Sequence, residues 1–533
     1  MIRVVVVGYG PVGARFVEGM LPAVRAGQAQ VTVVGAEADD AYNRVLIAEY
    51  AVGRAARDRL DIADAEGWRA AGVDLRLAEA AVAIDRDRRV VRTSGGERLA
   101  YDRLVLATGS RANIPTIAGM ERARRERDVR AQTADALDLG ASALPRGVSA
   151  LRDLADARRV AATVAAGGRI VVLGAGVLGL ELALAAREQG AEVVVVHHGD
   201  VPMARNLDTA GGRMLARAAR AAGIEMAPHS RAESLLLRTD PLDGHPRFDA
   251  LVCADGKQIP GDLLLLSVGV SPRVELAVAC GLRVSTGILV DHRQQSWTDP
   301  AVFAIGDCAH VAAPDTVGAE GRVPGGPSGL IGPGWQQADA LSARWIAGAA
   351  DDELSTADAA ESPAPDRPLV VMLKAEGIDV VAGGVVDAEP WDDDVHAASC
   401  GAARQVTVWA DPARGGYVKM VTRDGVLEGF VCVGMPRAGA ELTLLYERRS
   451  ELPADRAALL RLDAEHAGAP VATDALAPES TVCWCNGVTA ARITDAVAAG
   501  ADTVECIGSA TRAGTGCGGC KGRVAELLAR AST

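Results

Sequence analysis

At 533 residues the chain is too long for a single hydrophobic core, so two to four domains are expected. Hydrophobic residues make up 49% and charged residues 23%, an ordinary globular balance, while only 3% are aromatic. A net charge of −13 and so few rings for stacking speak against nucleic-acid binding, which needs a basic face to neutralise phosphates.

The N-terminal MIRVVVVGYG has an apolar run too short for a secretory segment and no small-residue cleavage site. The longest apolar stretch, 170–186, is broken by Gly174, Gly176, Gly179 and Glu181, which suits a strand, a turn and a helix rather than a bilayer span. A cytoplasmic protein without membrane attachment is therefore expected. Its ten cysteines are then expected to act as buried thiols or metal ligands rather than disulfides.

Residues 2–7 (IRVVVV) predict a buried strand, GYGPVG a glycine turn, and ARFVEGMLPAV a helix. A second strand, VTVVGAE at 31–37, closes a βαβ unit with Glu37 at its end. RLVLATGS (103–110) reads as a further buried strand, and 122–147 as a charged surface insertion. The βαβ pattern recurs at 169–198, followed by strand-like runs at 262–270 and 302–309. DDELSTADAAESPAPDRP, from residue 351, is acidic, Pro- and Ala-rich and aperiodic, the texture of a linker. Short strand-like pieces separated by Gly/Asp turns fill 369–450, and a last module occupies about 479–533.

The chemistry lies in three motifs. In Gly8-Tyr9-Gly10-Pro11-Val12-Gly13 the first glycine allows the tight turn, the second lets a pyrophosphate approach the backbone, and the third lets the helix pack on the strand. Glu37 is placed to accept hydrogen bonds from ribose hydroxyls. Gly174-Ala175-Gly176-Val177-Leu178-Gly179 repeats the argument for a second dinucleotide, but its second strand ends in His197-His198. A carboxylate there would repel a 2′-phosphate, so NADH and NADPH are both admissible, with Arg205 nearby; His197 as a plain strand end remains an equal reading. Cys483, Cys485, Cys517 and Cys520 form C-x-C-x31-C-x2-C, two close thiolate pairs able to hold zinc or a [2Fe–2S] cluster. The other six cysteines have no such spacing and read as small buried hydrophobes; Cys308 follows Asp307 directly.

The order of the first glycine motif, LATGS, the second glycine motif and TDPAVFAIGDCA resembles the two-dinucleotide flavin reductases of the pyridine nucleotide-disulfide oxidoreductase class. The resemblance implies an α/β fold with two Rossmann-like domains, one for FAD and one for NAD(P), then a small α+β domain and a small helical [2Fe–2S] domain. It assigns Asp307, with Gly306, to the ribityl chain of FAD, and puts Ala107, Thr108 and Gly109 beside the flavin nucleotide; Val82 and Gly269 are counted with them. AYNRVLIAEY (41–50) resembles the flavin-side helix of the ferredoxin- and nitrite-reductase branch, with Tyr42 and Arg44 matching its Tyr-x-Arg element. Glu181 matches a residue near the nicotinamide there, or serves as a helix-start carboxylate. CWCNGV, ITDAV and TGCGGC resemble the bacterioferritin-associated-ferredoxin-like domain, whose four cysteines hold [2Fe–2S].

Over nearly the whole chain the pattern, including LKAEGIDVVAGG and LEGFVCVG, resembles the electron-input part of NAD(P)H-dependent assimilatory nitrite reductase large subunits and the electron-transfer subunits of assimilatory nitrate reductases. The implied domains are FAD-binding at 1–150 and 276–350, NAD(P)-binding at 151–275, a linker at 351–367, the small β-rich domain at 368–450, a second linker at 451–478, and the cluster domain at 479–533. No redox cysteine precedes Cys253, so electrons are expected to leave by the cluster toward a nitrate or nitrite reductase catalytic subunit. No catalytic acid–base residue is expected, and a homodimer is possible. Two other readings stay open: a flavin/iron–sulfur subunit of an amino-acid or opine dehydrogenase, and a zinc-docking or redox-sensing regulator.

Overall fold

The computed structural model describes residues 1–120, 144–240, 244–316, 323–347, 370–375, 377–391, 403–453, 455–460, 462–463, 478, 480–483, 486, 488–515 and 520–531. The expected linker at 351–367, the 122–147 insertion up to residue 143, Cys485 and Cys517 lie outside them.

The first sheet is parallel and five-stranded, in the order Val302–Ala304, Arg103–Leu106, Ile2–Val7, Ala29–Val34, Asp74–Arg76. Alternation along Ile2–Val7 divides its valines between two cores. Val4 and Val6 meet Phe16 and Val17 of the helix Pro11–Arg25, together with Leu341. Val5 and Val7 face Leu276 and Ile288 on the other side. A strand covered on both faces needs a continuous apolar run, which explains VVVV.

The second sheet repeats the plan in the order Glu225–Ala227, Glu192–Val196, Arg169–Leu173, Leu263–Leu266, Val148–Ala150, again all parallel. Ile170 and Val172 pack toward Leu180 and Leu184 of the helix Val177–Glu188, while Val171 and Leu173 pack against Phe248 and Leu251. Its edge strand starts at Val148, so this sheet begins before the boundary expected at 151. The whole unit is inserted between two neighbouring strands of the first sheet, Arg103–Leu106 and Val302–Ala304. An antiparallel ribbon, Ser110–Ala112 with Val270–Pro272, ties the outgoing and returning chain together.

The third unit is an antiparallel five-stranded sheet, ordered Val371–Ala375, Ile378–Gly384, Val426–Val433, Gly416–Arg423, Gln405–Asp411, with the helix Pro436–Arg448 on one face. Val418, Met420, Phe430 and Cys432 face that helix through Leu442 and Tyr446. The alternate residues Tyr417, Val431 and Val433 join the core of the second nucleotide unit. The same alternation puts Lys419 on that second face, where its side chain is only 1% exposed. Its ammonium lies 3.2 Å from Asp208, the residue that caps the helix Thr209–Ala221; Tyr417 donates to the same carboxylate oxygen at 2.5 Å. The expected β-rich region is thus an α+β unit fastened to the second nucleotide unit through a buried ion pair.

The C-terminal module is a small hairpin, Thr481–Cys483 with Val488–Thr489, followed by the helices Ala490–Ala498, Val504–Thr511 and Lys521–Ala531 around a core of Val482, Val488, Ile493, Ile507 and Val524. Among the described residues no helix is long and apolar enough to cross a membrane.

Candidate functional site

The two glycine turns are built alike. Gly8 has φ +111° and a Cβ there would meet the Ala107 carbonyl oxygen at 2.2 Å; at Gly13 a Cβ would meet the Gly8 oxygen at 2.3 Å. Gly174, with φ +114°, stands 2.2 Å from the Ser267 oxygen on the same measure, and Gly179 stands 2.5 Å from the Gly174 oxygen. Only glycine serves at these four positions, because backbone comes too close for any side chain. Neither helix start is capped by a side chain: Gly10 and Gly176 both leave the first-turn N–H groups without an internal acceptor. Pro11 and Val177 open the helices, and Val12 packs between Gly306 and Gly334. A Cβ on Gly176 would touch nothing within 4 Å, and Leu178 beside it is 59% exposed. Open space over uncapped N–H groups suits the pyrophosphate of a dinucleotide at both turns.

The first turn is framed by charge. Glu37 lies three residues beyond the end of the strand Ala29–Val34 and accepts a hydrogen bond from the Tyr42 hydroxyl at 2.7 Å; its other oxygen pairs with the Arg44 guanidinium. Burial pulls the Arg44 pKa down, but Glu37, Tyr42 and Asp153 together hold the group above its ordinary value, firmly cationic. Two of its nitrogens lie 3.9 Å from where a Gly10 Cβ would stand, so a fixed positive charge adjoins the anion-accepting helix start. Each Glu37 oxygen keeps a lone pair free for a ribose hydroxyl. Burial pushes the Tyr42 phenol up.

Asp307 sits in the short turn Gly306–Cys308 with its carboxylate 21% exposed. Its Oδ2 accepts from Ser110 Oγ at 2.7 Å and from Arg152 Nη2 at 3.0 Å. Arg152 also donates to the Ser110 carbonyl and hydroxyl oxygens, and its own carbonyl accepts from Arg44. The pKa of Arg152 is lowered by burial and by Arg44 nearby. Arg152 and Ser110 were not among the residues expected from sequence; Arg152 enters from the start of the second nucleotide unit and joins the Glu37 and Asp307 groups. Thr108 donates to the Arg273 carbonyl at 2.9 Å, and Gly109 accepts from the Arg273 N–H, fixing the loop after Arg103–Leu106. Gly306 donates its N–H to Gln337 at 2.8 Å. Val82 is half-buried in the strand Ala81–Asp85, and Gly269, φ +92°, lies beside Asn113. Cys308 is fully buried, with its thiol directed to the Leu106 and Ile305 carbonyls, in keeping with a packing residue.

At the second turn the strand Glu192–Val196 is followed by buried His197, whose pKa is lowered by burial and then by His198 and His229. Arg205 is exposed. Glu181 lies on the helix Val177–Glu188 and lines a cavity of about 650 Å³ with Glu49, Arg54, Asp379, Cys432 and Cys520. That cavity is where both nucleotide units, the third unit and the C-terminal module meet.

Cys483 and Cys520 are 0% and 5% exposed and belong to the same small core. Asn486 Nδ2 lies 3.7 Å from Cys483 Sγ and donates to the Arg512 carbonyl at 2.8 Å, which joins the loop of the first cysteine pair to the approach of the second. Two buried thiols in one small core fit the donor set of an iron–sulfur cluster.

Comparison with known proteins agrees with this geometry. Residues 481–530 match the BFD-like [2Fe–2S] binding domain, and residues 2–326 match the pyridine nucleotide-disulphide oxidoreductase family. The chain is 29% identical to the nitrite reductase (NADH) large subunit of Escherichia coli (strain K12), over 99% of this chain and 55% of that protein. It is 28% identical to the assimilatory nitrate reductase electron transfer subunit of Bacillus subtilis (strain 168), over 99% and 59%. The chain thus spans little more than half the length of these curated relatives. Among solved structures, putidaredoxin reductase in its covalent complex with putidaredoxin has the same fold, with a TM-score of 0.65 and 22% identity over 86% of this chain and 97% of that one. The chain belongs to the pyridine nucleotide-disulphide oxidoreductase family: it is an FAD- and NAD(P)H-dependent oxidoreductase that carries a BFD-like [2Fe–2S] binding domain at 481–530.

Proposed function

We propose that this chain draws electrons from NAD(P)H and delivers them singly, through its C-terminal cluster, to the catalytic part of an assimilatory nitrate or nitrite reductase. The observation that carries the reading is the cavity on which Glu181, Glu49 and Cys520 converge, since it brings the second nucleotide helix, the flavin-side helix and a cluster cysteine to one place. When bound, FAD accepts a hydride from NAD(P)H and returns electrons one at a time, the form that a [2Fe–2S] cluster carries.

The chain's own residues bind and orient. Gly8, Gly10 and Gly13 hold the FAD pyrophosphate on the first helix start, Arg44 supplies its counter-charge, and Glu37, pinned by Tyr42, takes the ribose. Asp307, steadied by Ser110 and Arg152, receives the ribityl hydroxyls. Gly174, Gly176 and Gly179 seat NAD(P)H with its adenosine ribose toward His197. Cys483, Cys485, Cys517 and Cys520 hold the cluster. The names of the two relatives above support a nitrate or nitrite reductase as acceptor, and a cytoplasmic location and a homodimer belong to the same reading.

A second complete nucleotide turn disfavours the opine or amino-acid dehydrogenase reading, in which electrons come from an amine. Anaerobic stopped-flow mixing with NADH and NADPH separately tests the proposal: one of them is expected to bleach the flavin band and then the cluster band. Cys485→Ser is expected to keep the first phase and abolish onward transfer to added nitrate reductase. No bleaching with either nucleotide, or zinc in place of iron on metal analysis, would sink the reading.

A further inference from the structure

Among the described residues, two polar contacts, Arg512 with Glu18 and Asn43 with Thr515, run between the C-terminal module and the first nucleotide unit, both close in sequence to its cysteines. Arg512 ends the helix Val504–Thr511 in the left-handed conformation at φ +68°, rare for a side chain other than glycine or Asn. Its backbone is locked within the module: its N–H donates to the Gly508 oxygen at 2.7 Å, and its carbonyl accepts from Asn486 Nδ2 and from Thr515 Oγ1, both at 2.8 Å. Asn486 immediately follows Cys485, and Thr515 stands two residues before Cys517. With the backbone held between the two cysteine loops, the guanidinium reaches out of the module to pair with Glu18 on the helix Pro11–Arg25.

The second contact comes from the other side. Asn43 is 1% exposed and lies between Tyr42 and Arg44, both bonded to Glu37. Its Oδ1 accepts from the Val45 N–H at 3.0 Å, which directs the amide nitrogen to the Thr515 carbonyl at 3.4 Å. Val482 and Cys520 line the cavity shared with Glu49, Arg54 and Glu181.

We propose that Glu18–Arg512 and Asn43–Thr515 form a latch that holds the cysteine module docked on the first nucleotide unit, making these side chains positioning residues for electron passage within a single chain. The electron-transfer consequence rests on the function proposed above; the docking itself does not. Arg512 and Glu18 side chains are 36% and 40% exposed, so salt screens the pair and loosens the dock.

The test uses the full chain with its cofactors as Glu18→Arg, Arg512→Glu and the double charge swap, with Glu18→Gln as the milder change should Glu18→Arg fail to fold. Hydrogen–deuterium exchange over residues 40–46 and 510–516 is expected to rise in both segments in each single variant, to rise likewise in the unaltered chain at high salt, and to return to the original level in the swap. Stopped-flow is expected to show unchanged bleaching of the flavin by NAD(P)H, while the following cluster reduction slows by roughly tenfold or more in the single variants, as attraction becomes repulsion, and recovers in the swap. Unchanged exchange in both single variants, or a swap that remains as open as they are, overturns the latch. Absence of flavin bleaching in the unaltered chain overturns the proposed function instead, and the exchange pattern still decides the docking.

Discussion

The two nucleotide units share a frame and part company at the second strand's end. In the first, the Arg3 N–H donates to Asp102 at 2.8 Å and the Asp102 N–H returns a bond to the Arg3 carbonyl. In the second, Arg169 and Asp262 exchange the same two bonds at 2.9 and 2.8 Å. Gly8 donates to the Val34 oxygen and Gly174 to the Val196 oxygen, at 2.9 and 2.8 Å. Beyond that point one unit has Glu37 clamped by Tyr42 and Arg44, and the other has buried His197 directly after the strand, with Asp200 four residues past it beside His229. The backbone frame suits any dinucleotide; the side chains past the strand choose which one and how tightly it is held.

The glycine turns give the largest separation between the units. Gly174→Val places a β-branched side chain where even a Cβ would stand 2.2 Å from the Ser267 oxygen, and at a positive φ. Strain and overpacking together cost about 3 kcal/mol or more, roughly a hundredfold in nucleotide affinity. The variant is expected to keep its flavin absorbance and lose bleaching by NAD(P)H, whereas Gly8→Val is expected to lose the flavin itself. Purified-protein spectra and anaerobic titration distinguish them, and the same outcome from both variants would erase the contrast.

The units also differ in what supports them. The second leans on the third unit through Lys419 and Asp208, with side chains 1% and 6% exposed. Lys419→Met strands a buried carboxylate and is expected to cost about 3–5 kcal/mol. Asp208→Asn combined with Lys419→Met keeps a helix-capping side chain and is expected to recover much of that loss. Denaturant melts of the single and double variants measure it; a harmless Lys419→Met would mean that the third unit is only loosely attached.

The smallest effect is on pH. His197 is held below its ordinary value of 6.5, chiefly by burial, so the unfolded chain binds its proton more readily. Stability from this group is complete above pH 6.5 and declines as pH falls below it. Asp102 is held to about 2 by the Arg3 hydrogen bonds, so its contribution persists above pH 3.8 and is lost as pH falls toward 2. Acidification is therefore expected to loosen the second unit first. Exchange protection at 192–198 against 2–7, followed from pH 7 to 4, reads the order, and His197→Asn is expected to flatten the upper limb.

The parts legible in the sequence are those that short segments carry. Glycine turns after apolar runs, and cysteine pairs at fixed spacing, depend on residues within one turn of each other, so both nucleotide folds and the cysteine module can be read directly. Arg152 could not be found this way, because its partners Ser110 and Asp307 are 42 and 155 residues distant. Lys419 stands in YVKMVT like any strand-edge lysine, and only the packing of two units buries it. Asn43 and Thr515 are 472 residues apart and carry no mutual signal. Glu37 as a ribose acceptor is legible at the end of its strand, but Tyr42 and Arg44 holding its two oxygens is not.

The insertion of one nucleotide unit within the other sets an order of assembly on the ribosome. The inner sheet has all its strands once Leu263–Leu266 has emerged, but Arg103–Leu106 waits for its neighbour Val302–Ala304. At roughly 5–20 residues per second that interval lasts some seconds, during which one edge of the first sheet stands unpaired while the inner sheet already has all its strands. Of the two nucleotide units, the one begun first thus completes its sheet last, and a nascent chain arrested before residue 302 would present a fully stranded inner sheet beside an open outer one.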